Sequence, residues 1–139
     1  MSLTIRSAEL HDEGGIVALW RACDLIPSDG DPIADIRFAK SGKCSDVLIG
    51  TDDGGKVVGS VMVGHDGHRG WLYEVASAPD ARGLGIGREM MAAAEDWLRQ
   101  RGVQYAQLLV LETNTKVVSF YEHLGFQVSP RIVMRKKLS

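Results

Sequence analysis

Residues 82–87, Arg82-Gly83-Leu84-Gly85-Ile86-Gly87, are the stretch that decides how this 139-residue chain folds and what it binds. They lie between a predicted strand, Trp71 to Ala78, and a long predicted helix whose apolar residues recur at helical spacing. Glycine permits positive φ angles and lets a ligand approach the backbone closely. Because the first N–H groups of a helix have no internal partner, the segment predicts an anion site suited to a pyrophosphate.

Two common phosphate-binding motifs do not fit this segment. A P-loop needs Gly-Lys followed by Ser or Thr, and neither Gly42-Lys43 nor Gly55-Lys56 continues in that way. A dinucleotide fingerprint needs a third glycine three residues after the second, where this chain has Arg88 or Met90, depending on the register. The chain also lacks a run of parallel β-α units, so both classes are excluded.

The rest of the sequence predicts one mixed α/β domain that covers residues 1–139. Hydrophobic residues make up 45% of the chain and charged residues 24%, which is typical of a globular domain with a buried core. The apolar periodicities predict strands and helices in the order β-α-α-β-β-β-α-β-α-β-β. The last three predicted strands are Ala106 to Leu111, Phe126 to Val128 and Ile132 to Met134.

Charge and cysteine usage restrict the partners of the protein. The net charge of −2 argues against nucleic acid, which normally requires a strongly basic face. We expect no membrane segment, since no stretch approaches the ~20 apolar residues that span a bilayer. The amino terminus has no basic leader, so a cytoplasmic location is expected. Cys23 and Cys44 lack the spacing of a zinc site, and we expect two reduced thiols and no metal.

Two segments resemble signatures of the GCN5-related N-acetyltransferase (GNAT) superfamily. Val75 to Gly87 is similar to its acyl-CoA-binding motif, although Ser77 stands where the family usually has an aliphatic residue. Asn114 followed by Phe120-Tyr121-Glu122-His123-Leu124-Gly125-Phe126 is similar to its second signature. Four further segments resemble the bacterial YpeA-like branch: Cys23-Asp24-Leu25, Asp31-Pro32, Asp35-Ile36 and Asp66-Gly67-His68-Arg69-Gly70.

The resemblance implies a fold and a co-substrate. The fold would be a mixed, mainly antiparallel, splayed sheet of about six to seven strands flanked by about four helices. A slot between the strands near Val75 and Leu109 would take the pantetheine arm of acetyl-CoA. Backbone of three strand residues would pair with that arm, and a backbone N–H near Ser77 would polarise the thioester carbonyl. The implied acetyl-CoA-binding residues are Val75, Ala76, Ser77, Arg82, Gly83, Leu84, Gly85, Ile86, Gly87, Arg88 and Asn114.

Tyr121 and Glu74 are the predicted catalytic residues. The resemblance implies that Tyr121 protonates the departing CoA thiolate, while the alternative is a core tyrosine with its hydroxyl satisfied. Glu74 lies in a strand with apolar residues on both faces, so its carboxylate needs a partner, solvent or a raised pKa. A raised pKa would suit a base that takes a proton, directly or through water, from an ammonium substrate, whereas a salt bridge or a hydrogen bond accepted from a backbone group would make Glu74 structural. Asn114 is also predicted to be the N-cap of the last helix, a role that is compatible with a contact to CoA.

These residues predict an acetyl-CoA-dependent N-acetyltransferase that acts on a primary amine of a small molecule or peptide by direct attack. The alternative is a non-catalytic acyl-CoA-binding sensor or regulatory module. Asp24, Asp29, Asp31 and Asp35 surround the first loop and either attract a cationic amine or form a solvated acidic turn. An exposed final strand would also permit a homodimer.

Overall fold

The computed structural model describes residues 2–139, which form two compact units. The first unit ends at Leu109, and the second covers Val110–Ser139. The first unit contains one five-stranded sheet in the order β1-β2-β3-β4-β5, in which β4 and β5 are parallel and every other pair is antiparallel. The strands are β1 (Thr4–Ser7), β2 (Ser45–Thr51), β3 (Val57–His65), β4 (Gly70–Ser77) and β5 (Ala106–Leu108).

Helices of the first unit cover both faces of the sheet. The helices are α1 (Glu13–Ala22), α2 (Pro32–Lys40), α3 (Ile86–Gln100) and, in the second unit, α4 (Thr115–His123). Ser60 on β3 contacts Trp20 of α1, whereas a side chain at the adjacent Gly59 would point at Ile86 of α3. Since neighbouring strand residues point to opposite faces, α1 and α3 lie on opposite sides of the sheet. Within residues 2–139, no helix is long and apolar enough to cross a membrane.

Helix α3 packs closely on the strands that precede it. Its buried side chains recur at helical spacing: Ile86, Met90, Met91, Ala94, Trp97 and Leu98. A Cβ at Gly59 would lie 2.7 Å from Cγ2 of Ile86, so only glycine allows this approach. Gly59 is paired with Ser77 at the end of β4. The close contact therefore fixes the start of α3 beside the carboxyl end of β4.

The predicted order of elements is confirmed from β1 to α4, but the prediction of six to seven strands is wrong. Strand β5 ends at Leu108, not Leu111, and the described residues contain no strand after it. The side chains of Ile132 and Met134 are 91% and 90% exposed. Apolar residues gain nothing from an extended conformation when no strand pairs with them, and Pro130 lacks an N–H to donate. The exposed final strand proposed for a homodimer is consequently absent from the described residues.

Candidate functional site

The turn before α3 has left-handed backbone at two glycines. The φ angles of Gly83 and Gly85 are 85° and 78°, and Gly85 is the N-cap residue of α3. An L side chain in this conformation costs about 1–2 kcal/mol, whereas glycine adopts it freely. The glycines predicted from the sequence thus occupy positions where their conformational freedom is used.

The amino end of α3 presents unpaired donors. The first intrahelical bond runs from the Glu89 N–H to the Gly85 carbonyl (3.1 Å), and no side chain caps the helix. The N–H groups of Ile86, Gly87 and Arg88 have no hydrogen-bond acceptor among the described residues. These donors and the positive end of the helix dipole favour an anion at this place.

Two arginines flank the same turn. Arg82 and Arg88 are exposed, and neither forms an ion pair with a described residue. Guanidinium groups are suited to bidentate contacts with phosphate oxygens. The donors at the helix start and these cations together fit a pyrophosphate.

Strand β4 carries a β-bulge at Glu74. Ser60 of β3 is paired with Ala76, but Met62 is paired with Tyr73, so β4 contains one extra residue between these pairs. Glu74 has a φ of 52°, which is uncommon for a residue with a side chain. Sequence reasoning predicted an ordinary strand here and missed the bulge.

The bulge lies where β4 and β5 separate. Their pairing ends at Leu72 and Leu108, so in the first unit no strand pairs with the β5-facing edge of β4 beyond Leu72. The predicted pantetheine-binding residues are on this part of β4: Val75, Ala76 and Ser77. Free backbone N–H and C=O groups along a strand edge can accept an extended chain as an additional strand.

The carboxylate of Glu74 is only partly solvated. Its Oε2 atom is buried and has no hydrogen-bond partner among the described residues. Burial raises the pKa of Glu74, and the negative charge of Asp35 raises it further. The salt bridge that would make Glu74 purely structural is not formed by the described residues. A carboxylate in this state accepts a proton more readily than an exposed glutamate.

Hydrogen bonds from side chains of β3 and of the end of α1 hold this part of β4. The indole N–H of Trp20 donates to Oγ of Ser60 (3.0 Å), and the Ser60 hydroxyl donates to the carbonyl of Glu74 (2.8 Å). The Cys23 thiol donates to the carbonyl of Ser77 at 3.3 Å. Sequence reasoning missed Ser60, for which the one signal was a hydroxyl within the β-branched run of β3.

The acidic residues of the first loop have separate positions. Asp31 is the N-cap of α2, and its Oδ1 accepts from the Ala34 N–H at 3.1 Å. Asp35 is close enough to Glu74 to affect the pKa of its carboxylate. Asp24 has left-handed backbone with a φ of 56°. No group of three or more His, Cys, Asp or Glu in residues 2–139 is arranged to hold a metal ion.

The second unit contains Asn114 and Tyr121. Asn114 is the N-cap residue of α4, as predicted, but its side chain accepts no hydrogen bond from the helix. Tyr121 packs edge-on against Phe120 and Phe126, with ring centroids 5.2 and 5.8 Å away. Burial raises the pKa of Tyr121, so its hydroxyl keeps its proton at neutral pH.

Sequence comparison identifies the family. The profile of the acetyltransferase (GNAT) family matches residues 16–126, which is most of the chain. The chain belongs to the GNAT family. An acetyltransferase of Pectobacterium atrosepticum is 35% identical over 136 residues, which are 98% of this chain and 96% of that protein.

Solved structures share the fold over nearly the whole chain. A structure of AAC(6')-Iy in complex with the bisubstrate analogue CoA-S-monomethyl-acetylneamine aligns with a TM-score of 0.85, at 19% identity and 100% coverage of both chains. The aminoglycoside 6'-N-acetyltransferase AAC(6')-Ih of Acinetobacter baumannii aligns with a TM-score of 0.80, at 17% identity and 99% coverage of both chains.

Membership of the family defines the class of reaction. The protein is an N-acetyltransferase, and GNAT enzymes use acetyl-CoA as the acetyl donor. The mixed, mostly antiparallel open sheet predicted from the resemblance is confirmed. The unpaired N–H groups at the start of α3 and the flanking arginines provide a donor set that fits the pyrophosphate of CoA. The family and its acetyltransferase relatives, and not this donor set, support an enzyme over the alternative of a non-catalytic sensor module.

Proposed function

We propose that the protein transfers the acetyl group of acetyl-CoA to the primary amine of a small cationic molecule. The carboxylate of Glu74 is the observation that carries this proposal. Its Oε2 atom is buried and has no hydrogen-bond partner among the described residues, and Glu74 lies on β4 beyond Leu72, where no strand of the first unit pairs with the β5-facing edge. A proton acceptor on β4 and an anion site at the start of α3 supply the two functions that acetyl transfer requires. Both belong to the first unit.

Acetyl-CoA is bound mainly by backbone groups in this proposal. Backbone and side-chain donors from Arg82 to Arg88 hold the pyrophosphate, and the open edge of β4 from Val75 to Ser77 pairs with the pantetheine arm. Asn114 adds a contact to CoA. An N–H near Ser77 polarises the thioester carbonyl, which makes the acetyl carbon a better electrophile. These contacts hold the acetyl group in position for attack.

Glu74 acts as the base in this proposal. The amine nitrogen forms a bond to the acetyl carbon, the carbon–sulfur bond breaks, and Glu74 takes a proton from the nitrogen directly or through a water molecule. The raised pKa of Glu74 brings it closer to neutral pH, where a general base is most effective.

Tyr121 supplies the proton for the departing thiolate in this proposal. A Tyr121→Phe variant should lower kcat about tenfold and leave the affinity for acetyl-CoA unchanged, because the ring remains and only the proton donor is lost. Stopped-flow turnover and calorimetry measure the two quantities. Tyr105, whose side chain is 61% exposed, provides the matched control Tyr105→Phe. Wild-type turnover in Tyr121→Phe would remove this role.

Two observations favour a small cationic acceptor. The carboxylate of Asp35 lies near Glu74 and forms no ion pair with a described residue. One structural neighbour is named as an aminoglycoside 6'-N-acetyltransferase. Carboxylates near the reacting group attract a positively charged amine. Peptide amino termini are the second class of acceptor in this proposal.

A thiol-release screen tests the proposed function. Free CoA is measured after the enzyme is mixed with acetyl-CoA and, separately, with amino acids, polyamines, aminoglycosides and short peptides. We expect turnover with polycationic small amines, an added acetyl group by mass spectrometry, and a large loss in Glu74→Gln. Turnover with peptides alone would overturn the small-molecule proposal, and thiol release without an acetylated amine would overturn N-acetylation.

A further inference from the structure

We propose that Ser60, oriented by Trp20, is a positioning residue that fixes the β4 bulge and thereby aims the carboxylate of Glu74. This inference rests on the proposed role of Glu74 as the base. Ser60 and Trp20 belong to the core, with 0% and 2% of their surfaces exposed. They act through the backbone of the bulge and touch neither substrate.

The hydrogen bonds between these residues have a fixed direction. The indole N–H of Trp20 is a donor only, so Oγ of Ser60 accepts from it (3.0 Å). The single hydroxyl proton of Ser60 is then directed at the carbonyl of Glu74, 2.8 Å away. A helix on one face of the sheet thus fixes one carbonyl orientation in β4.

The bulge needs this support. The register leaves Glu74 and Val75 without partners on β3, and Glu74 holds left-handed backbone despite its side chain. A strained conformation persists only where the surroundings determine it. The Ser60 hydroxyl supplies the carbonyl partner, so removing it permits the peptide to rotate. The side chain of Glu74 starts from the same Cα and moves with that rotation.

A purely structural role makes a different prediction. If Ser60 only stabilises the core, its removal lowers stability and affects turnover equally whether or not Glu74 can accept a proton. If Ser60 acts through Glu74, its removal has no further effect on turnover once the carboxylate is gone. A double-mutant cycle separates the two cases.

The kinetic arm uses Ser60→Ala, Glu74→Gln and the double variant, with a small amine found in the thiol-release screen. We expect Ser60→Ala to lower kcat about tenfold through misplacement of the base, with the acetyl-CoA affinity from calorimetry unchanged. In the Glu74→Gln background the same substitution should change kcat less than about twofold. An equal loss in both backgrounds would overturn the proposal.

Two controls separate positioning from core damage. Ser45→Ala removes a comparable hydroxyl bond, from Oγ of Ser45 to the Ala39 carbonyl (2.7 Å), at the other end of the sheet. It should leave kcat unchanged. Ser60→Cys keeps a weaker donor and should retain more activity than Ser60→Ala. If Ser60→Cys is no more active than Ser60→Ala, the hydrogen-bond role is contradicted. If Ser60→Ala does not fold, Ser60→Cys replaces it in the double-mutant cycle.

A structural arm is independent of the acceptor. Crystal structures of wild type and Ser60→Ala should differ in the φ of Glu74 and in the place of its carboxylate. An unchanged bulge in Ser60→Ala would overturn the proposal even if the enzyme acetylates amines. Failure of every amine in the screen, with a relaxed bulge in Ser60→Ala, would instead overturn the proposed function.

Discussion

The turn before α3 and the bulge in β4 both use left-handed backbone, but they are stabilised in different ways. At Gly83 and Gly85 the conformation costs little, and an added Cβ would meet no atom within 4 Å. At Glu74 the conformation is strained and depends on Ser60, 14 residues away, and on Trp20, a further 40 residues away. The turn is a local feature of the chain, whereas the bulge exists only in the assembled sheet.

Because of this difference, we expect mutations in the turn and in the bulge to affect different properties of the enzyme. A glycine turn at a helix start forms wherever the helix forms, so damage to it should affect ligand binding at that place. The bulge joins β4, β3 and α1, so damage to it should affect the chemistry through the position of one carboxylate. Variants in the turn and in the bulge should therefore separate binding from chemistry.

The largest effect is expected for Glu74→Gln. The substitution keeps the size of the side chain and removes the base, so kcat should fall about 100-fold. The acetyl-CoA affinity from calorimetry should not change. In wild type the acidic limb of the pH–rate profile should lie above the ordinary pKa of a glutamate, since Glu74 must lose its proton before it can accept one.

The acidic limb should disappear in the variant. An unchanged limb in Glu74→Gln would assign the titration to another group and remove Glu74 from the chemistry. A large loss of acetyl-CoA affinity in this variant would break the separation between the bulge and the turn.

A smaller effect is expected for Gly85→Ala in the turn. The added methyl group meets no neighbour but strains backbone with a φ of 78°. The unliganded variant should relieve this strain by leaving the left-handed conformation, which acetyl-CoA must restore when it binds. About 1.4 kcal/mol of strain then corresponds to about a tenfold loss of acetyl-CoA affinity. Calorimetry measures the affinity, and kcat at saturating acetyl-CoA should stay near wild type.

Gly102→Ala is the matched control for this prediction. Gly102 follows the other end of α3, has a φ of 75°, and also has open space around an added Cβ. It should lose comparable stability while retaining wild-type affinity for acetyl-CoA. Equal affinity losses in both variants would show that strain in α3, and not the anion site, controls binding.

The smallest effect concerns stability and pH. The pKa of Glu74 is raised in the folded protein, so folding favours the protonated carboxyl group. The stability from this preference is fully present below the pKa of Glu74 in the unfolded chain. It is lost as pH rises through the pKa of Glu74 in the folded protein. Glu74→Gln should therefore match wild type in acid and be slightly more stable at neutral pH. Thermal unfolding of both proteins from about pH 3, below the ordinary pKa of a glutamate, to about pH 7 measures the difference.

Other carboxylates do not affect this comparison, because they are the same in wild type and in Glu74→Gln. The Arg6 guanidinium, 2.7 Å from Asp12, lowers the pKa of Asp12 to about 2, so in both proteins the stability from Asp12 is complete above its unfolded pKa and is lost as pH falls through about 2. A wild-type protein as stable as Glu74→Gln at every pH would contradict the cost assigned to the buried carboxylate.

The features that the sequence predicted correctly are those with a local cause. The amphipathic stripe of α3, the glycines at its start and the order of elements to α4 follow from neighbouring residues. The final strands were predicted wrongly because Phe126 to Val128 and Ile132 to Met134 have the apolar residues of strands but no strand to pair with among the described residues. The roles assigned to the site residues stay predictions.

The sequence by itself determined the glycine turn before α3 and the enzyme family, because glycine spacing and helix polarity act over a few residues. Only the tertiary structure decided the conformation of Glu74. An extra residue in β4, a hydroxyl on β3 and an indole on α1 meet there through packing of separate elements. The raised pKa of Glu74 has the same origin, since burial depends on the surroundings of a side chain and not on its neighbours in sequence.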